Sequence, residues 1–221
     1  MVDPPLTDVE VRVLGSLVEK EVTTPDAYPL SASALTAACS QTSNRDPVMR
    51  LDEDAVTIAV VALRRRGLVR AIQPAGSRVT KYEHLLAHGP NLDARELAVL
   101  CVLMLRGPQT QGELHARTTR LAEFADPAAI EATLEALIAR EPEPLVTRLA
   151  RRPGQKEMRY AHLLSGPVSF DAGDALGAPA EQPRASRDDD RIAALEQTVS
   201  ELRAELAALR AELAEFRAQF Q

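Results

Sequence analysis

The sequence predicts a mainly α chain with small β-hairpins, an α+β class, followed by a C-terminal helix. Three observations lead to this prediction. Two stretches begin with the same helix-start pattern and end alike, in KYEHLL and RYAHLL. Only 3% of the residues are aromatic while 45% are hydrophobic, so aliphatic, helix-rich cores are expected. Near the C-terminus, apolar residues recur at alternating spacings of three and four.

The helix-start pattern combines a capping box with a hydrophobic staple. In the first stretch, Thr7 is the predicted N-cap, Glu10 follows three residues later, and Leu6 and Val11 form the staple. In the second stretch the same four roles fall to Asp93, Glu96, Leu92 and Leu97. Matching starts and matching ends indicate a duplicated domain, with one copy at residues 1–91 and the other at 92–165.

Each copy shows the same order of signals. The first has expected helices at Thr7–Lys20, Ser31–Cys39 and Asp52–Arg66, then a hairpin turning at Pro-Ala-Gly-Ser. The second has expected helices at Asp93–Arg106, Thr110–Thr118 and Asp126–Arg140, then a hairpin turning at Arg-Pro-Gly-Gln. Three helices followed by a hairpin is the order of a winged helix, so tandem winged-helix domains are predicted.

The C-terminal part has a different character. Residues 166–190 are rich in Gly, Pro, Ala and Asp and lack periodicity, which predicts a flexible linker. Residues 191–221 are predicted to form a coiled-coil dimerisation helix. Its seam is Ile192, Leu195, Val199, Leu202, Leu206, Leu209, Leu213, Phe216 and Phe220. Charges beside the seam are complementary only in a parallel pairing, so a parallel homodimer is predicted. The alternative is an amphipathic helix that folds back on its own domain.

Charge and composition restrict the classes of function. The net charge of -6 resides mainly in residues 165–221, which carry 6 basic and 11 acidic groups. Neither predicted domain has the basic excess of a strong nucleic-acid binder. We expect a cytoplasmic protein without a membrane partner, because no apolar run is long enough to span a bilayer and no signal peptide is apparent. Cys39 and Cys101 each stand alone in a helix-like stretch and are predicted to be buried thiols.

The hairpins carry most of the basic residues that could contact DNA. These residues are Arg70, Arg78, Lys81, Arg148, Arg151, Arg152, Lys156 and Arg159. Wings of this kind can lie against phosphates with little sequence reading, and a dimer doubles them. The sequence therefore predicts a regulatory or architectural protein that binds double-stranded DNA weakly. The alternative explanation of these charges is a solvated strand face.

The third helix of each copy is poorly equipped to read bases. That of the first copy begins Asp-Glu-Asp, which repels phosphate, and that of the second has no basic residue before Arg140. Ile58 and Val61 lie away from the predicted core stripe of the first copy's third helix and suit contact with a protein. The competing prediction is therefore a protein-docking scaffold without DNA binding.

The stretch QTSNRDPVMRLDED joins the second and third helices of the first copy. One interpretation is a structured connector that ends in the N-cap Asp52. The other is a contact loop, with Asn44, Arg45 and Arg50 around an anion site. Arg45 could equally pair with Asp46 or Asp52.

No constellation of catalytic residues stands out, so we predict that the protein is not an enzyme and needs no cofactor or metal. His84 and His162 occupy equivalent positions in the two copies, which suggests one structural role used twice. His88 has no helix to align it with His84, and His115 stands alone. The chain has no P-loop and no dinucleotide-binding glycine motif.

Two strings of the first copy, EKEVTTPDAYPLSASALTAACSQTSNRDPVMRLDEDAV and GSRVTKYEHLL, resemble the bacterial family known as YceH. In the second copy, LRGPQTQGELHARTTRLAEFAD and GQKEMRYAHLLSG resemble it equally well. The resemblance covers residues 6 to about 166. It implies a tandem winged-helix fold, and it carries no activity or binding residues over to this chain.

Overall fold

A computed structural model describes residues 4–73, 76, 79–87, 91–151 and 157–168. Residues 1–173 form one compact unit. Its described part contains six α-helices and two three-stranded antiparallel sheets. The predicted mixed class, mainly helical with small β-hairpins, is confirmed. The predicted linker and coiled-coil helix fall almost wholly outside the described residues and stay predictions.

The first repeat runs from α1 to β3. Its elements are α1 (Asp8–Thr23), β1 (Leu30–Ser31), α2 (Ala32–Cys39), α3 (Glu53–Arg65), β2 (Val69–Ile72) and β3 (Lys81–His84). The predicted capping box starts α1, because Thr7 accepts a hydrogen bond from the Glu10 amide and the Glu10 carboxylate accepts one from the Thr7 amide. Asp52 caps α3 as predicted, accepting from the Ala55 amide at 2.8 Å.

The second repeat has the same order of elements. They are α4 (Ala94–Arg106), β4 (Gln109–Thr110), α5 (Gln111–Thr118), α6 (Pro127–Ile138), β5 (Val146–Arg148) and β6 (Arg159–His162). The capping box predicted for Asp93 and Glu96 is present at the start of α4. Asp126 caps α6, and Pro127 takes the first helical position, where its missing N–H costs nothing.

The two sheets share one topology and one register. The last strand of each repeat lies in the middle, giving the orders β1-β3-β2 and β4-β6-β5. Val69 lies opposite His84 in the first sheet, and Val146 lies opposite His162 in the second. The histidines therefore occupy equivalent positions, as the repeat in sequence predicted.

Strands β1 and β4 were not predicted from the sequence. Each is only two residues long, too short to show alternation between apolar and polar positions. Each leads directly into the second helix of its repeat, with its last residue, Ser31 or Thr110, as the N-cap. The third strand of each sheet thus comes from the residues just before that helix.

The two repeats share a continuous hydrophobic core, built around α1 and α4. Every residue of α1 from Glu10 to Glu19 is buried, so this helix is covered on all sides. The helices approach closely at Gly15, whose carbonyl oxygen lies 3.5 Å from the Sγ of Cys101. The Leu6 amide also donates to the Leu164 carbonyl at 2.9 Å, linking the start of the first repeat to the end of the second.

Substituting Gly15 by Val is expected to destabilise the whole unit. A Cβ at this position would lie 3.0 Å from Met104 Cβ and from Leu105 Cδ2, so α1 and α4 would have to move apart. Overpacking of this kind lowers the free energy of unfolding by about 1–3 kcal/mol, measurable by chemical denaturation. In the control Gly112→Val, no atom lies within 4 Å of the new Cβ, and stability should stay within about 0.5 kcal/mol. Equal effects of the two substitutions would contradict the close approach.

Candidate interaction surfaces

The stretch between α2 and α3 belongs to the first repeat and forms hydrogen bonds with both repeats. The Asp46 amide donates to the Leu105 carbonyl at the end of α4, at 2.9 Å. Asn44 adopts a left-handed backbone, with φ 58°, and its side-chain oxygen accepts from Arg106 at 3.3 Å. The Pro47 carbonyl accepts from the buried Arg12 at 2.6 Å. These bonds hold the stretch against α1 and α4.

Arg45 is buried in this connector and pairs with Glu19 of α1. Its two terminal nitrogens lie 3.1 Å and 2.6 Å from the two carboxylate oxygens, and one of them also donates to the Ala38 carbonyl. Arg120 of the second repeat, whose side chain is 37% exposed, contacts the same carboxylate. Arg45 therefore pairs with neither Asp46 nor Asp52, and its guanidinium faces the interior rather than an external anion.

Burial by itself would raise the pKa of Glu19, but hydrogen bonds and charge from Arg45 and Arg120 outweigh it and hold that pKa below the ordinary value. Glu19 therefore stays ionised. Arg50 lies in the same connector as Arg45 and is exposed, so for Arg50 the anion-site hypothesis stays a prediction.

The described basic residues of the hairpins mostly have acidic neighbours. Arg70 pairs with Glu83 across the first sheet, and Arg148 pairs with Glu135 of α6. Arg159 donates to the Pro108 carbonyl at 2.8 Å and lies 3.4 Å from Glu113. Lys81 is partly buried and Arg151 is exposed. Arg78, Arg152 and Lys156 lie outside the described residues.

The outer face of α3 has a different composition. Val56, Val60 and Leu63 fix the inner face in the core. Ile58 and Val61 point outward, with exposed fractions of 71% and 39%, which confirms their predicted exposure. Asp54 and Arg65 are also exposed and lie on the same stripe of the helix, one at each end. We call these four residues, Asp54, Ile58, Val61 and Arg65, the α3 stripe.

Helix α6 has no such stripe. Counted from the N-cap, the positions equivalent to the α3 stripe are Ala128, Ala132, Glu135 and Ala139. All four are exposed. Arg140, the first basic residue after the start of this helix, points back to Glu96 at 3.5 Å. An exposed apolar pair between opposite charges is therefore found on α3 and not on its counterpart.

The equivalent histidines have different surroundings. The Nε2 atom of His84 lies 2.7 Å from the carboxylate of Glu21, and the Tyr28 hydroxyl accepts from the His84 amide at 2.8 Å. The Nδ1 atoms of both His84 and His162 are buried with no hydrogen-bond partner among the described residues. Burial lowers the pKa of His162 to about 4, against an opposing effect from Asp8. The position that corresponds to Glu21 is Gly107, directly after α4, which offers no side-chain partner.

Both cysteines are free and buried, as predicted. Burial raises the pKa of the Cys39 thiol to about 11 and that of the Cys101 thiol to about 12. Neither thiol therefore has the thiolate character that a nucleophile needs. Among the described residues, no helix combines the length and the apolar character needed to cross a bilayer.

The fold defines an α+β protein made of two equivalent repeats, with an exposed apolar pair on α3 and exposed basic residues on its hairpins. The chain belongs to a family described as "Protein of unknown function, DUF480", whose model matches residues 6–155. This match confirms the resemblance to the YceH family. A UPF0502 protein of Pelobacter propionicus is 52% identical over 197 residues, covering 88% of this chain and 89% of the relative. A UPF0502 protein of Geobacter metallireducens is 50% identical over 196 residues, covering 88% of each chain.

Replacing Glu19 with Gln is expected to lower the free energy of unfolding by about 3–5 kcal/mol, because it leaves the buried charge of Arg45 without a counter-charge. Chemical denaturation at pH 7 measures the change. The control Glu83→Gln breaks a surface pair with Arg70 and should cost less than about 1 kcal/mol. A loss in Glu19→Gln no larger than in the control would show that the buried cluster does not stabilise the fold.

The His162 ring makes stability depend on pH. Its pKa lies below the ordinary 6.5 in the folded protein. Between pH 6.5 and about 4, the ring therefore binds a proton in the unfolded chain but not in the folded protein. Stability conferred by the neutral ring is present above pH 6.5 and is lost as the pH falls through this window. In His162→Gln, the unfolding free energy should vary less steeply with pH between pH 6.5 and about 4. The decrease in slope should correspond to the binding of up to about one proton on unfolding. Identical slopes for both proteins would contradict this.

Proposed function

We propose that the two repeats are winged-helix domains and that the chain is a protein-docking scaffold, with the α3 stripe as its docking surface. The order of three helices and a hairpin, with a short strand before the second helix, supports the winged-helix assignment in both repeats. The assignment gives α3 the place of the helix that, in DNA-binding winged helices, enters the major groove.

The exposure of Ile58 and Val61 on α3 is the observation that carries this proposal. Ile58 is 71% exposed, so covering it with an apolar surface of a partner would lower the free energy of the complex. Recognition of base edges and phosphates instead requires hydrogen-bond donors. The first turn of α3 carries Glu53 and Asp54 after the capping Asp52, and these acids repel a phosphate backbone. Docking a protein therefore suits this helix better than reading DNA does.

The docking surface is rigid before a partner arrives. The inner face of α3 is fixed by buried Val56, Val60 and Leu63, and its N-terminus is capped. Binding to such a helix requires little ordering of the scaffold, so a smaller part of the favourable free energy of apolar contact is offset by lost conformational entropy. The predicted coiled-coil tail would present two of these surfaces in one dimer and add avidity to weak single contacts.

Replacing both Ile58 and Val61 with Ser is expected to abolish capture of a protein partner. Tagged full-length protein is incubated with nuclease-treated bacterial extract, and the bound polypeptides are identified by mass spectrometry. Because both side chains are exposed, thermal stability should be nearly unchanged. The control Ala132→Ser/Ala136→Ser changes exposed positions of α6 and should retain the partner. Retention of the same polypeptides by the Ile58/Val61 variant would show that these polypeptides do not bind at the α3 stripe.

The second candidate function is weak, sequence-independent DNA contact through the hairpins. The observation that favours it is the exposure of their basic groups: Arg151 lies on the surface, and the side chains of Arg70 and Arg148 are 61% and 43% exposed. Surface ion pairs are worth at most about 1 kcal/mol, so a phosphate can replace the carboxylate at little cost. A predicted dimer would bring four hairpins to one duplex.

Replacing Arg151, Arg152 and Lys156 with Ala should weaken any DNA binding equally for all sequences. In gel shifts at several salt concentrations, the slope of log K against log salt should decrease by about 0.9 for each phosphate that the variant no longer neutralises. The control replaces Arg95, Arg117 and Arg140, which lie on helices or at a helix end, and removes the same charge. Equal weakening in both variants would mean that net charge, rather than the hairpins, governs binding.

A further inference from the structure

We propose that the α3 stripe docks onto the α3 stripe of a second copy of this chain, with the two helices antiparallel. This inference rests on the proposed docking function and names its partner. It would create a symmetric contact between two winged-helix units, at a surface separate from the predicted tail.

The positions of the four residues allow such a pairing. Asp54, Ile58, Val61 and Arg65 are separated by four, three and four residues, which places them on one narrow face of the helix. A two-fold axis between Ile58 and Val61 brings Asp54 opposite Arg65 of the partner subunit. The same axis brings Ile58 opposite Val61 of the partner subunit. Both pairs occur twice, so the stripe is complementary to itself.

The charges select the antiparallel direction. In a parallel pairing, Asp54 would face Asp54 of the partner subunit, and Arg65 would face Arg65 of the partner subunit. Antiparallel pairing replaces both repulsions with attractions and brings the positive N-terminus of each helix beside the negative C-terminus of the other. Neither Asp54 nor Arg65 forms an ion pair with another described residue, so neither has to give one up.

An acid at the start and a base at the end of a helix are common, because they also suit the helix dipole. The distinguishing feature of α3 is the apolar pair between them. The equivalent residues of α6, Ala132 and Glu135, could not form an apolar contact with their own copies. We therefore expect self-association through α3 of the first repeat and not through α6 of the second.

The size of the stripe limits its affinity. It spans the twelve residues from Asp54 to Arg65, or about 16 Å at the usual rise per residue, which is small beside the interface of a stable dimer. Contact through α3 alone is therefore weak. It becomes populated when the predicted coiled coil holds two copies at a high local concentration.

Disulfide trapping in the full-length chain tests the pairing. The variant Ile58→Cys/Val61→Cys places thiols on facing positions, while both native cysteines are buried and unreactive. The control, Ala132→Cys/Glu135→Cys, has the same spacing at the equivalent positions of α6. Under mild oxidation, reductant-sensitive dimers should form at least about tenfold faster in the α3 variant than in the control. Non-reducing gels measure the rate, and thermal unfolding verifies that both proteins are folded.

Charge reversal in the α3 cysteine variant then tests the direction of the helices. Asp54→Arg alone should slow trapping by about tenfold, since it places like charges together in both copies of the pair. Adding Arg65→Asp should restore the rate, although each change is unfavourable for its own helix dipole. Restoration therefore reports pairing between copies rather than helix stability.

Equal trapping in the α3 variant and the α6 control, or no rescue by the second reversal, would overturn the inference. The docking function fails separately. If trapping is absent but Ile58→Ser/Val61→Ser still abolishes capture of a polypeptide, the stripe docks a different protein and the proposed function stands. If trapping is absent and capture is unaffected, both fail.

Discussion

The close packing of α1 against α4 is the constraint on which the rest of the structure depends. Gly15 has no side chain, so α4 can lie against the α1 backbone, with atoms of Met104 and Leu105 only 3.0 Å from the place that a Cβ would take. The same packing buries α1 on all sides and takes Glu19 into the interior. A buried carboxylate requires charged partners, and these come from the connector, through Arg45, and from the second repeat, through Arg120. The connector between α2 and α3 is therefore shaped by the needs of α1 rather than by an external ligand.

This shared core determines which surfaces remain exposed. α1 and α4 are used in joining the repeats, whereas the outer faces of α3 and α6 and the hairpins remain at the surface. The two repeats have diverged there. α3 keeps an exposed Ile58 and Val61, while α6 presents alanines and a Glu135 already paired with Arg148. This difference at the outer positions is consistent with the proposed scaffold, in which the first repeat would carry the docking surface.

Much of the fold followed from local chemistry in the sequence. The capping boxes at Thr7 and Asp93 mark the starts of α1 and α4, because a cap involves residues only three positions apart. Exposure of Ile58 and Val61 followed from helical spacing. The partners of Glu19 did not, because Arg45 and Arg120 are distant from it in sequence and only the tertiary fold brings them together. The equivalent histidines were recognised from the repeat. The contact between His84 and Glu21 was not, because it joins residues 63 positions apart in sequence. The close packing of α4 on α1 could have been predicted from Gly15 and Ser16, because small residues in the middle of a helix allow another helix to approach closely.

Native-state hydrogen exchange tests most directly whether the two repeats are one cooperative unit. If α1 and α4 share a core, their central amides, such as those of Leu14 and Leu103, exchange only through global unfolding and give the same opening free energy. This free energy should equal that obtained from chemical denaturation. A clearly lower opening free energy for Leu103 than for Leu14, with the first repeat still protected, would show that the second repeat opens alone and would contradict the shared core.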